Sequence, residues 1–329
     1  MQRTIYIEEA VADHPRTRQV LDRYPGARRV PCRRYGEIFN RKAQNFRLQK
    51  QQPALILARK HQRHVLAAPP DYGLGSPYHY YFSHMLNCVY DCRYCFLQGM
   101  YRSAHHVLFV NYEDFHAAIN RCLEKHPRED VWFYSGYDCD SLACEPVTGF
   151  TASFLPFFRN HPRAWLELRT KSTQIRSLLE HKVVTNCVIA FSFTPDNIAR
   201  TLEKGVPDIQ KRLHAIRLLQ RRGWSVGLRF DPLIYHDGYR SHYRKLFSLV
   251  FDNIDRHRLH SVSLGSFRVP QPYFQQMQRL YPEEKLFAGP LTTHDGMTGY
   301  YEQHRRQLQA DCTDMLLDYV PEQTLFPCT

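Results

Sequence analysis

From Tyr78 onward the chain alternates between two hydrophobic patterns: short, nearly continuous apolar runs, and longer stretches in which apolar residues recur every three to four positions. The first pattern predicts strands and the second helices. Strands are expected at Tyr78–Met85, Val131–Ser135, Ala164–Thr170, Cys187–Thr194, Ser225–Pro232 and Ser261–Ser266. The intervening segments predict helices near Tyr112–His126, Phe150–Asn160, Gln174–His181, Asp208–Arg222 and Tyr239–Arg256. Regular alternation of this kind argues for βα units around a parallel sheet, and six units suggest a partial (βα)6 barrel.

The first 75 residues read as an N-terminal α/β appendage, with a short strand at Thr4–Glu8, a helix near His14–Tyr24 and an apolar strand at Pro53–Ala58. The stretch Pro69-Pro-Asp-Tyr-Gly-Leu-Gly-Ser-Pro77 is rich in breakers and predicts a linker. The barrel is then expected over 76–270, with 271–329 as a short C-terminal extension. No internal repeat or low-complexity tract is visible.

At 329 residues the chain can bury a full core, and 43% hydrophobic with 13% aromatic content places it among globular proteins. No segment offers the roughly 18 uninterrupted apolar residues of a bilayer span. The start, Met1-Gln-Arg-Thr-Ile-Tyr-Ile-Glu8, has no apolar signal region, so a cytoplasmic protein without a membrane partner is expected. Lysine and arginine number 44 against 32 aspartates and glutamates, a formal net charge of +12. That excess favours a polyanionic partner, nucleic acid first, because cations that neutralise phosphates release counterions. Basic residues concentrate at Arg28-Arg29, Arg33-Arg34, Arg41-Lys42, Arg47, Lys50, Arg59-Lys60 and Arg63, interleaved with Tyr35, Phe39 and Phe46. The N-terminal third is therefore the expected phosphate-facing surface.

Chemistry enters at Asn87-Cys-Val-Tyr-Asp-Cys-Arg-Tyr-Cys-Phe-Leu-Gln98, where Cys88, Cys92 and Cys95 offer three thiolates and no fourth. A closed structural zinc site or an ordinary ferredoxin cluster takes four protein ligands, whereas three thiolates on a [4Fe-4S] cube leave one iron open to a small molecule. A zinc knuckle that borrows a remote His or Cys is the alternative that spacing leaves open. A cluster-binding trio needs reducing conditions, and Cys32, Cys122, Cys187, Cys312 and Cys328 are expected as free thiols.

A barrel gathers side chains from the carboxyl ends of its strands into one pocket. Cys139, in Tyr134-Ser-Gly-Tyr-Asp-Cys-Asp-Ser-Leu-Ala-Cys-Glu145, occupies such an end, and a weak S–H bond suits a positioned thiol to hydrogen-atom donation. Cys144 competes for that role but is better placed to pack. Ser135-Gly136, Lys171, Ser192 and His236 also fall at strand ends. Each has an ordinary reading as a loop or capping residue, and only the shared position raises them.

The C-x3-C-x2-C spacing resembles the signature of the radical S-adenosylmethionine (SAM) enzymes, in which an open iron chelates SAM and an electron from the cluster cleaves it to a 5'-deoxyadenosyl radical. Tyr94 and Phe96 flank the last cysteine, where aromatic rings can wall off the cluster. Across nearly the whole chain, an ordered set of runs resembles the spore photoproduct lyase family of radical SAM DNA-repair enzymes. These runs are Thr4–Glu8, Cys88–Gln98, Phe133–Ser141, Thr170-Lys171, Phe191-Ser192, Gly205–Leu213, Asp231–Gly238 and Phe267-Arg268.

The resemblance implies an α/β fold, a partial (βα)6 radical SAM barrel, with a [4Fe-4S] cluster and SAM as cofactors. It implies reversal of the thymine dimer 5-thyminyl-5,6-dihydrothymine in DNA, with a flavodoxin- or ferredoxin-type electron donor. Cys88, Cys92 and Cys95 would hold the cluster and Cys139 would return a hydrogen atom to the product radical. Tyr94 would serve in catalysis and, with Ser141, Lys171 and Ser192, line the SAM pocket. Two departures stand out. The family's tyrosine after the third cysteine, part of its hydrogen-return relay, is Phe96 here, and the stretch matching its DNA-wedging hairpin, Leu286–Tyr300, lacks an arginine pair. Two further readings use the same residues: a radical SAM enzyme modifying another nucleic-acid or small-molecule substrate, and a non-catalytic zinc-containing nucleic-acid-binding protein.

Overall fold

A computed structural model describes residues 3–69, 74 and 76–327; Cys328 and part of the predicted linker lie outside the described residues. Seven strands run parallel in its main sheet: β1 (His79–Phe82), β2 (Val131–Ser135), β3 (Ala164–Thr170), β4 (Cys187–Ser192), β5 (Ser225–Leu233), β6 (Leu259–Ser266) and β7 (Leu325–Pro327). They lie side by side in chain order, and Leu66–Ala67 adds an antiparallel strand at the β1 edge. Every residue of β2 and β4 is buried, as expected of parallel strands covered on both faces.

Helices α1 (Tyr112–Lys125), α2 (Phe150–Arg159), α3 (Arg176–Glu180), α4 (Ile209–Arg222), α5 (Tyr239–Phe251) and α6 (Glu302–Leu317) connect successive strands. In α1, Tyr112, Phe115, Ile119 and Cys122 fall on one buried stripe, with Glu113 and Asp114 in the first turn and Lys125 in the last complementing the helix dipole. The α4 helix begins where the Asp208 carboxylate accepts the Lys211 N–H at 2.8 Å and ends at Gly223, left-handed at φ 96°. Phe82 of β1 stacks on Phe154 of α2 at 5.2 Å, and His84 stacks on Phe150 at 4.1 Å in a setting so dry that burial pushes its imidazole down to about 3. No helix among the described residues is long and apolar enough to cross a membrane.

A second sheet takes the order Arg28–Cys32, Thr4–Glu8, Leu55–Ala58, His106–Phe109, Met85–Leu86. Its last two strands come from beyond residue 75, so the N-terminal segment does not close on itself. The run expected as one strand, Tyr78–Met85, divides instead into β1 for the main sheet and Met85–Leu86 for this one. The C-terminal stretch also returns, placing β7 against β6. Arg28–Cys32 escaped the hydrophobic pattern because it is a partly exposed edge strand, where Pro31 is tolerated. Helices Gln271–Leu280 and α6 were not anticipated either.

Glu145 shows how a buried charge serves the fold. It is 6% exposed, and its carboxylate accepts the Thr151 N–H at 3.0 Å and the Thr151 hydroxyl, satisfying donors at the start of α2, where Gly149 has no side chain to offer. Burial raises its pKa to about 7 despite those bonds. A carboxyl raised above its unfolded value favours the folded state while protonated, so stability should fall as pH rises from about 4.5 to about 7. Replacing Glu145 with Gln should remove a penalty on the order of 3 kcal/mol at pH 8. Denaturant melts should show the variant's advantage shrinking as pH is lowered to 5.

Candidate active site

Parallel register sets Phe82 opposite Ser135, Ser135 opposite Leu168, Thr170 opposite Phe191 and Ser192 opposite Arg229. The carboxyl ends of β1 to β5 therefore share one rim. The cysteine triplet, Cys139, Lys171 and Ser192 all lie on it, whereas His236, also expected at a strand end, turns to His242.

Residues 87–105 leave the fold between two strands that pair antiparallel, Met85–Leu86 and His106–Phe109, so the cysteine loop is pinched at its base. Asn87 sits at the pinch with φ 66°, and its amide donates to the Ser103 carbonyl at 2.7 Å and the His105 carbonyl at 2.8 Å. Asparagine accepts this left-handed backbone more readily than most residues and supplies both donors. Farther along the loop, Asp91-Cys92 pairs with Glu203-Lys204, and Arg93 N–H donates to the Leu202 carbonyl at 2.8 Å. Cys95 N–H closes a turn on the Cys92 carbonyl at 3.0 Å, just ahead of the short helix Leu97–Met100.

Burial dominates all three thiols and raises each of them, and their charges would repel one another. Lys50 opposes this at Cys88 and Cys95, and Lys171 at Cys92 and Cys95. Backbone N–H groups point at two sulfurs, Tyr90 to Cys88 at 3.4 Å and Leu97 to Cys95. Such thiols stay protonated until a cation joins them, so metal loading releases protons. Among the described residues no three His, Cys, Asp or Glu side chains are grouped to hold a single metal ion. In an iron–sulfur cube each thiolate binds its own iron, and three desolvated thiols with N–H donors and lysines beside them fit that group.

One carboxylate organises the neighbourhood. Glu203, 6% exposed, accepts from the Thr194 hydroxyl at 2.8 Å, from Arg212 Nη2 at 3.1 Å and from the Tyr94 phenol. Lys171 Nζ stands 3.2 Å from it in an ion pair without a well-directed hydrogen bond. Arg212 also donates to the Ser192 carbonyl at 2.7 Å. Burial by itself would raise the Glu203 pKa, but Lys171 and Arg212, with the two hydroxyls, hold it down to about 2. Three residues singled out from sequence, Tyr94, Lys171 and Ser192, thus meet around a fourth that was not. Glu203 stands just before the Gly205–Leu213 run, which contains Arg212, and that adjacency was the available signal.

Asp140 was missed as well. It accepts from Thr170 Oγ1 at 2.7 Å, Lys171 N–H at 2.6 Å, and the Leu142 and Ala143 N–H groups at 3.0 and 2.9 Å, tying the loop after β2 to the end of β3. Cys139, in the same loop, is 7% exposed, and burial first, then the charges of Cys88, Asp138 and Asp140, keeps it a thiol. Ser141 lies beneath Gly136 and donates to the Ser135 carbonyl at 3.0 Å; a Cβ at Gly136 would come within 2.5 Å of its hydroxyl. Cys144 immediately precedes the short helix Glu145–Thr148 without a side-chain cap, and His236 is paired with His242 at 2.8 Å. The nine described cysteines are all free.

Residues 75–321 match the family model for spore photoproduct lyase. The chain belongs to the spore photoproduct lyase family. Two curated spore photoproduct lyases, from Bacillus subtilis (strain 168) and Geobacillus sp. (strain Y412MC61), are each 23% identical to it over 202 residues, which is 60% of this chain and 59% of theirs. Its fold is similar to that of a solved spore photoproduct lyase cysteine-to-serine mutant, with a TM-score of 0.87 at 16% identity, covering 100% of this chain and 98% of that one. A doubly substituted spore photoproduct lyase with bound AdoMet and dinucleoside spore photoproduct matches with the same TM-score and coverage at 17% identity.

Where this member departs from the family pattern, the structure gives the local setting. The Phe96 ring lies 5.4 Å from that of Tyr137. The C-terminal hairpin exists, with strands Leu291–His294 and Met297–Tyr300 joined through Asp295 and Gly296, both left-handed, and its tip is exposed from Thr292 to Met297.

Truncating Glu203 to Ala should cost about 3–5 kcal/mol by stranding Arg212 and Lys171, and should lower iron and sulfide incorporation. Asn87→Ala should loosen the pinch and reduce cluster retention with a smaller loss of stability. Metal analysis beside thermal melts separates the two effects.

Proposed function

We propose that the chain is a radical SAM lyase that reverses 5-thyminyl-5,6-dihydrothymine in DNA. One observation carries the reading: a pinched loop of three thiols, one buried and two half-buried, shares a rim with the buried Cys139 in the loop after the next strand. When bound, the [4Fe-4S] cluster and SAM would supply an electron and, from the cleaved sulfonium, a 5'-deoxyadenosyl radical that abstracts hydrogen from the lesion.

Cys88, Cys92 and Cys95 hold the cluster in this reading. Ser192, Lys171, Ser141 and Tyr94 surround the SAM site. Tyr94 acts by position, since its phenol hydrogen is committed to Glu203. Cys139 completes the reaction on the substrate: its S–H bond breaks, a C–H bond forms on the methylene carbon of the product thymine radical, and the unpaired electron stays on sulfur. Burial suits it to this role, because a hydrogen-atom donor must arrive as a thiol and not a thiolate. The similar fold of a spore photoproduct lyase with bound AdoMet and dinucleoside spore photoproduct supports this assignment of cofactor and substrate. A flavodoxin- or ferredoxin-type donor would approach beside Cys88, where Val89 is 42% exposed.

Anaerobic incubation of reduced, reconstituted protein with SAM and a lesion-bearing dinucleotide should release thymine and 5'-deoxyadenosine. Deoxyadenosine without thymine would reassign the substrate, and neither product from protein with an intact cluster would overturn the enzyme. Alanine at Cys88, Cys92 or Cys95 should abolish iron binding, whereas Cys139→Ala should keep iron and SAM cleavage but lose most thymine. With no phenol at position 96, SAM consumption should rise in step with thymine, and Phe96→Tyr should lower the SAM used per thymine formed.

A further inference from the structure

Three charged residues at the barrel mouth are left unused by the proposed chemistry. Arg169 comes from the end of β3, Asp231 from the end of β5, and Arg268 from the short strand Arg268–Pro270 that follows β6. Asp231 stands 3.5 Å from the Arg169 guanidinium and 3.9 Å from that of Arg268. One layer deeper, Glu167 pairs with Arg229 at 2.7 Å and is reached by Arg169 at 3.4 Å. Three guanidiniums thus face two carboxylates, and this part of the mouth carries one positive charge in excess. The deeper pair is closed to solvent, with side chains 1% exposed, whereas the Arg169 and Arg268 side chains are 25% and 31% exposed. A ligand arriving from solvent can therefore meet the excess charge.

Arg268 is the better placed of the two open cations. Its Nη1 donates to the Ser266 carbonyl at 3.2 Å, and its backbone pairs with Gly299 of the C-terminal hairpin. At 3.9 Å, Asp231 aims this guanidinium without the close contact, about 2.7–2.9 Å, of a full charge-assisted bond. The Tyr137 phenol, two residues before Cys139, is near enough to feel the Arg268 charge. The half-buried Tyr137 ring lies 4.4 Å from that of Tyr81 and 5.4 Å from that of Phe96. An open guanidinium therefore borders the aromatic wall next to the proposed hydrogen-donor loop.

A guanidinium fork matches the paired oxygens of a phosphate or carboxylate. The lesion's two bases are neutral, and the anionic group that joins its two nucleosides in DNA is a phosphodiester with a single negative charge. That charge answers the single excess positive charge of the mouth. Phosphate contacts fix register and orientation without reading bases. A two-base lesion needs such a fix if one particular carbon is to face Cys139.

We propose that Arg268, with Arg169 beside it across Asp231, binds the phosphodiester that bridges the two nucleosides of the lesion and so sets its register at Cys139. The inference rests on the substrate reading above and adds to it a specificity-determining residue.

The test is equilibrium binding of the lesion as a dinucleotide, whose only phosphate is the bridging one, and as the dinucleoside that lacks it, to protein with verified iron content and bound SAM. Wild type should bind the dinucleotide at least about tenfold more tightly, as expected of a hydrogen-bonded charge pair. Arg268→Gln should erase that preference while leaving affinity for the dinucleoside and for SAM unchanged. Arg268→Lys, which keeps the charge and the backbone pairing but loses the fork, should retain part of the preference, and it carries the test if the glutamine variant melts early. Equal binding of the two ligands by wild type, or a full preference in both variants, would overturn the assignment and leave the repair reading standing. Loss of SAM affinity in Arg268→Gln would give the residue to the cofactor and overturn the assignment too. Binding of neither ligand by wild type that holds its cluster would overturn the substrate reading and this inference with it.

Discussion

The buried carboxylate of Glu203 is the constraint on which the rest of the site depends. A charge taken out of water carries a desolvation cost of several kcal/mol unless cations and hydrogen bonds surround it. Here Arg212, Lys171, Tyr94 and Thr194 do so. Each of these residues comes from a different part of the rim, so satisfying one carboxylate draws together the cysteine loop, the ends of β3 and β4, and the first turns of α4. The backbone of Glu203 also pairs with Cys92. Moving the loop would break a strand pair and uncover a charge at once, in addition to pulling Tyr94 out of the core.

The loop is fixed at its other end by a division of labour between two sheets. Its entry strand, Met85–Leu86, and its exit strand, His106–Phe109, belong to the N-terminal sheet, while the strand just before it, β1, belongs to the barrel. The cysteines therefore sit at a seam, and the N-terminal segment is part of the scaffold that shapes the site. The basic surface of that segment and the chemistry of the barrel are coupled through one stretch of backbone. A polyanion bound across the N-terminal third would thus rest on elements that continue directly into the cluster loop.

How much of this was legible in the sequence follows from what each residue's neighbours are. Strands β2 to β6 and helices α1 to α5 announced themselves because burial on a sheet face or a helix stripe leaves a periodic record. Arg28–Cys32 did not, because an edge strand buries little. The split of Tyr78–Met85 was invisible, since both pieces are apolar and only pairing partners separate them. Among site residues, the cysteine triplet was legible from spacing, and Lys171, Ser192 and Cys139 from their places at strand ends. Glu203, Arg212 and Asp140 were not. A charged residue in a loop or on a helix looks like solvent-facing polarity until the fold shows it buried, and all three make bonds with residues distant in sequence.

Desolvation ties the two halves of the site together. It raises the thiols of the triplet, so they gain most from a cationic partner, and it favours the thiol form of Cys139, as the proposed hydrogen-atom donation requires. Phe96 is consistent with that desolvation: a ring that packs toward Tyr137 closes the wall beside the cysteines while adding no polar atom that would need a partner. In this family member, phenylalanine at position 96 therefore keeps an aromatic ring against Tyr137 while removing a phenol from the cysteine loop.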